Sequence, residues 1–148
     1  MISIVRTVVA CLVAALSGCT STSVTPVTPP STSVVPIAEL VGTWSLDQLD
    51  EKHIQPRQVT VQFGADGSYR ASVACNEIGA RYTVRQDIVM LMGPLRGTEK
   101  GCVPPPVYED LITNALYGVG GPWTARFDGR DHLKLFGRYQ LILSRVRS

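Results

Sequence analysis

Only two histidines, His53 and His132, occur among the 148 residues. Both sit in polar stretches beside turns and neither is part of a metal-spaced pair, so they read as surface residues and leave imidazole catalysis little to build on. Clustered charge is also missing. Fourteen Lys and Arg against twelve Asp and Glu leave a formal charge of +2, and Arg57, Arg70, Arg81, Arg85, Arg96, Arg126, Arg130 and Arg138 stand singly among acids. A groove that tracks phosphates needs grouped charge and stacking aromatics, so nucleic acid is not an expected partner. No nucleophile elbow or zinc-protease helix motif is present, and Ser and Thr are frequent only near the N-terminus. Asp66 and Asp128, a conceivable carboxylate pair across strands, each precede a glycine and are explained as turn residues. The inventory points away from an enzyme, and no cofactor is implied.

What is present begins with an address. Met1 to Arg6 supplies a short positive region, Thr7 to Leu16 an apolar core, and Leu16-Ser17-Gly18-Cys19 a small-residue cleavage site. The apolar run is too short for a membrane span of roughly 20 residues and reads as a secretory signal over residues 1–18. The four residues ending at Cys19 resemble the bacterial lipobox, whose cysteine becomes the acylated mature N-terminus, carrying chains such as palmitate. Ordinary signal cleavage, leaving Cys19 a plain thiol, is the competing reading. Thr20 replaces the aspartate that would resemble an inner-membrane retention signal, which favours the outer membrane. Residues 19–37, rich in Ser, Thr and Pro, bury too little to fold and read as an extended tether of up to roughly 50 Å.

With Cys11 in the signal and Cys19 lipidated, Cys75 and Cys102 are left for the folded part. Secretion into an oxidising compartment makes a disulfide their default. The competing use, a metal site, lacks the histidine pair that would complete four ligands.

Alternation then marks strands. Leu40 to Leu49 places Trp44 and Leu46 on one face, as a core tryptophan rather than a ligand platform. Gln58 to Phe63 alternates cleanly, Gly64-Ala65-Asp66-Gly67-Ser68 turns, and Tyr69 to Val73 returns. That strand runs into Cys75 and Asn76, with a turn expected at Gly79. Tyr82 and Val84 share a strand, Gln86-Asp87 turns, and Ile88 to Met92 follows, giving an antiparallel meander. Gly93 to Cys102 is expected to break regular structure. Pro104 to Pro106 then precede a helix over Val107 to Leu116, with acids in its first turns and Val107, Leu111, Ile112, Ala115 and Leu116 on one face. Gly118, Gly120 and Gly121 follow this helix, whereas phosphate cradles place their glycines before one. Three short strands close the chain, through Trp123 to Phe127, Leu133 to Leu135 and Tyr139 to Leu143.

These elements together resemble the META/HslJ-like domain over roughly residues 38–148. The correspondence runs through Leu40-x-Gly42-x-Trp44, Cys75-Asn76, Tyr82, Thr98-x-x-x-Cys102, a helix bearing Glu109 and Leu116, and the closing strands. One departure is Ala74, where the family usually has glycine. The resemblance implies a mainly β (α+β) fold, an antiparallel, partly open β-barrel with one packed helix. It also implies an envelope lipoprotein linked to heat shock and stress response, with no established catalysis and with structural roles for Asn76 and Glu109. The expected function is non-enzymatic: a monomer held to the outer membrane by its lipid, on the periplasmic side, binding an unknown protein or a small apolar ligand. The alternatives are a periplasmic inhibitor of a lytic enzyme or protease, acting through an exposed Leu95 to Gly101 loop, and a secretion-assembly chaperone.

Overall fold

The computed structural model describes residues 36–104, 107–118 and 120–147. The signal, Cys19, most of the tether, and Pro105 and Pro106 lie outside the described residues. Ile37, the last tether residue, already opens a single helical turn, α1 (Ile37–Leu40). Nine strands follow: β1 (Gly42–Leu49), β2 (Lys52–His53), β3 (Val59–Phe63), β4 (Ser68–Val73), β5 (Asn76–Arg85), β6 (Ile88–Gly97), β7 (Trp123–Asp128), β8 (His132–Phe136) and β9 (Gln140–Arg145). Helix α2 (Glu109–Leu116) lies between β6 and β7.

Every pairing is antiparallel, and β1 meets β9 over Trp44–Leu49, so eight strands close into a barrel with β2 as an extra strand beside β1. Closure lets the alternating apolar faces fill one interior: Trp44, Phe63, Tyr69, Trp123 and the leucines of β1, β8 and β9 are shielded from solvent. A bulge at Asp47 inverts the alternation within β1, which brings both Leu46 and Leu49 inside although they stand three positions apart. The ends of β1 and β9 are clasped by Arg145. Its guanidinium lies 4.1 Å from the Trp44 ring and donates to the carbonyls of Glu39, Val41 and Arg130 at 2.6, 3.0 and 3.0 Å. The Leu40-x-Gly42-x-Trp44 pattern thereby acquires a structural cause. The Leu40 carbonyl accepts the Trp44 indole N–H at 2.9 Å, and a side chain at Gly42, whose φ is 141°, would occupy the space of the Arg145 guanidinium.

Three expectations are corrected. The β4–β5 hairpin turns at Ala74-Cys75, with Val73 opposite Asn76, because Ala74 takes a φ of 52°; Gly79 is interior to β5. Gly93 and Pro94 do not end β6. The ladder absorbs them as a bulge opposite Ala80, Gly93 adopts a φ of 76°, and pairing resumes at Arg96. The helix starts at Glu109, not Val107, since Tyr108 is left-handed at its N-cap; Val107 is 64 % exposed and leaves the buried face to Ile112, Ala115 and Leu116.

Candidate functional site

The barrel has one weak seam. β5 and β6 share seven registered pairs, whereas β6 and β7 share two, Ile88 with Thr124 and Val89 with Trp123. Outside this short ladder the Asp87 carbonyl accepts the Ala125 N–H at 2.7 Å, and the Asp87 carboxylate pairs with Arg126 at 2.5 Å. That guanidinium is the main reason the Asp87 carboxyl lies below its ordinary value of 3.8. Beyond Val89 the two strands part.

Helix α2 packs against the core beside β4, and the residues just past its end reach the gap. Ile112, Ala115 and Leu116 face the core, and the buried Tyr69 hydroxyl donates to the Leu116 carbonyl at 3.2 Å, satisfying one of the acceptors a helix leaves open at its C-terminus. Burial pushes the Tyr69 phenol far above its ordinary value, so it stays a donor. Below the helix end a cleft of about 400 Å³ remains, bordered by Met90 to Gly93 and Leu95 on β6, by Tyr117 and Gly118, and by Gly121 and Pro122. Its volume falls within the roughly 300–1,000 Å³ of small-molecule sites. Apart from the Tyr117 phenol, the lining side chains carry no acid, base or nucleophile.

A second, polar cluster lies on the far side of Tyr117. The Asn76 side-chain oxygen accepts from the Lys100 N–H at 2.6 Å and from the Thr98 hydroxyl at 3.1 Å, while its Nδ2 donates to the Lys100 carbonyl at 2.9 Å and to Glu109 Oε1 at 3.1 Å. Cys75 and Cys102 are bonded beside it. One amide thus ties the turn after β4, the loop after β6 and the first residue of α2 together. The structural roles expected of Asn76 and Glu109 agree with this geometry.

Other expected residues fall apart spatially or sit at the surface. His53 and His132 are exposed, on β2 and at the start of β8. Asp66 accepts the Ser68 hydroxyl and N–H in its turn, which lowers its pKa, and Asp128 ends β7 paired with Lys134 at 3.3 Å. Leu95 to Gly97 belong to β6, so the loop considered for inhibition keeps only residues 98–101 outside a strand, and Asn76 pins it. Among the described residues, no three His, Cys, Asp or Glu side chains gather as metal ligands and no helix is long and apolar enough to cross a membrane. Sequence reasoning missed the cleft-lining Met90, Met92, Leu95 and Tyr117. Two methionines two apart, followed by Gly93-Pro94, were the only trace of them.

The class defined here is a closed antiparallel barrel capped by one short helix, with an apolar cleft where its weakest seam opens. A sequence model of the META domain matches residues 38–147, and the chain belongs to that family. Among solved structures it is similar to an NMR structure of a protein from Burkholderia xenovorans, at 18 % identity and a TM-score of 0.56, covering 84 % of this chain and 100 % of that one. A second NMR structure aligns at 18 % identity and a TM-score of 0.57 over 75 % and 95 % of the two chains. A DUF4847 family protein from Bacteroides vulgatus aligns at 13 % identity and a TM-score of 0.48 over 74 % and 95 %. No curated protein matches the chain.

Proposed function

We propose that this META-domain protein is a non-enzymatic outer-membrane lipoprotein, anchored through Cys19, that supports envelope integrity under stress by capturing an apolar ligand or partner segment in the β6–β7 cleft. The observation that carries the binding reading is the cleft itself: about 400 Å³, apolar, and without a convergent acid, base and nucleophile. The anchoring reading rests on Leu16-Ser17-Gly18-Cys19 after an apolar run. One acyl chain holds a membrane marginally and several hold firmly, and lipobox processing supplies more than one.

Two measurements test these parts separately. Purified protein should turn over no peptidoglycan, ester or peptide substrate, and hydrolysis that survives removal of contaminants and is lost on substituting His53 or His132 would contradict the reading. Cys19→Ala should block processing or release the protein from the outer-membrane fraction, and wild-type mature protein without fatty acid by mass spectrometry would contradict the anchor.

A further inference from the structure

The cleft is a missing section of β-ladder. The register at the seam pairs Ile88 with Thr124 and Val89 with Trp123, so its continuation would set Leu91 opposite Gly121. Those two residues do not pair; both line the cleft, and the Gly121 N–H turns instead to the Gly118 carbonyl at 3.3 Å.

In an antiparallel strand, alternate residues aim both N–H and C=O to the same side. The two-residue turn Gln86-Asp87 closes on the pair Arg85 with Ile88, so Ile88, Met90 and Met92 direct their backbone groups to β5. Val89 and Leu91 direct theirs the other way. Val89 meets Trp123, while the Leu91 groups point into the cleft and have no backbone partner among the described residues. An apolar ligand alone would desolvate that donor and acceptor and leave both unpaired.

Resting on the binding function proposed above, we infer that the occupant is a short extended peptide segment that adds as a strand along β6 at Leu91. The added backbone restores the interrupted ladder, and side chains from one of its faces enter the cleft. Met90 and Met92, unbranched and adaptable, border the space, and Leu95 and Tyr117 close its far end. The addition is short. Pro94 has no N–H and the bulge at Gly93 redirects the strand, so the usable edge ends about two residues beyond Leu91.

The test selects displayed random heptapeptides against the whole chain carrying Cys19→Ser, and synthesises the tightest one with each amide N-methylated in turn. Methyl spectra of Met90 and Met92 report occupation of the cleft, with palmitate as the apolar control. Strand addition predicts at least a tenfold affinity loss from N-methylation at the one or two alternate residues whose N–H faces the short free edge at Leu91, little loss at every other residue, and at least tenfold slower hydrogen exchange at the Leu91 amide. It is overturned if no peptide is selected, if N-methylation is tolerated throughout, or if the Leu91 amide stays unprotected. When palmitate shifts the methionine methyls and no peptide does, strand addition fails while the apolar-binding function stands; when neither shifts them, both fail.

Discussion

Asn76 Nδ2 donates to the Glu109 carboxylate at 3.1 Å, linking residues 33 positions apart in the chain. The same amide also accepts from the Lys100 N–H and the Thr98 hydroxyl and donates to the Lys100 carbonyl and, at 3.7 Å, to Cys102 Sγ. Asn76→Ala strands these groups in a partly buried setting and should cost about 2–3 kcal/mol in urea unfolding. Glu109→Gln keeps an oxygen acceptor for Nδ2 and should cost under about 1 kcal/mol. Equal losses in the two variants would show that the ion, and not the asparagine, organises the cluster.

The Cys75–Cys102 bond joins residues 27 positions apart in the chain. In the chain-entropy description that constrains the unfolded state by roughly 3–4 kcal/mol. Replacing both cysteines by Ala should therefore lower the melting temperature by about 10–20 °C at this domain size. Both thiols found free and alkylatable in natively extracted protein would contradict the bond.

Ala74 holds a φ of 52° in the β4–β5 turn. A left-handed alanine costs roughly 1–2 kcal/mol, while glycine adds about 0.5–1 kcal/mol of unfolded-state entropy, so the first effect wins. Ala74→Gly should stabilise by about 0.5–1 kcal/mol, read as a higher urea midpoint with an unchanged slope. A lower midpoint would show that the turn does not strain alanine.

Asp87 is held below its ordinary value of 3.8, first by the Arg126 hydrogen bond. A carboxyl depressed in the folded state contributes stability that is fully present above its unfolded value and lost as pH falls through the folded one. Asp87→Asn should thus melt earlier than wild type near pH 7, with the difference fading below about pH 4. A difference that persists undiminished at pH 2 would assign the effect to something other than this charge.

Much of the barrel was legible because its strands alternate strictly, as in Val59, Val61 and Phe63 or Leu133 and Leu135, and because Asp66-Gly67 and Gln86-Asp87 are strong turn signals. The Ala74-Cys75 turn was hidden since alanine ordinarily avoids positive φ, and the continuation of β6 was hidden since Gly93-Pro94 more often ends a strand than bulges it. The cleft was harder still. It exists because β6 and β7 diverge after two pairs, a property of three-dimensional register that no local pattern in Met90 to Leu95 encodes. Val107 matched the periodicity of the helix yet stayed outside it, because Tyr108 adopts a left-handed backbone there.

Two of the three methionines, Met90 and Met92, border the cleft, and the third, Met1, lies outside the described residues. Methyl-labelled methionine therefore places reporters at the proposed site with almost no background. On titration of the Cys19→Ser chain with palmitate or a selected apolar peptide, the two cleft methyl resonances should shift together and saturably, and Leu95→Asp should abolish the shift without unfolding the barrel. Binding that leaves both methyls unmoved, or no binding up to the solubility limit of every apolar probe, would contradict the account.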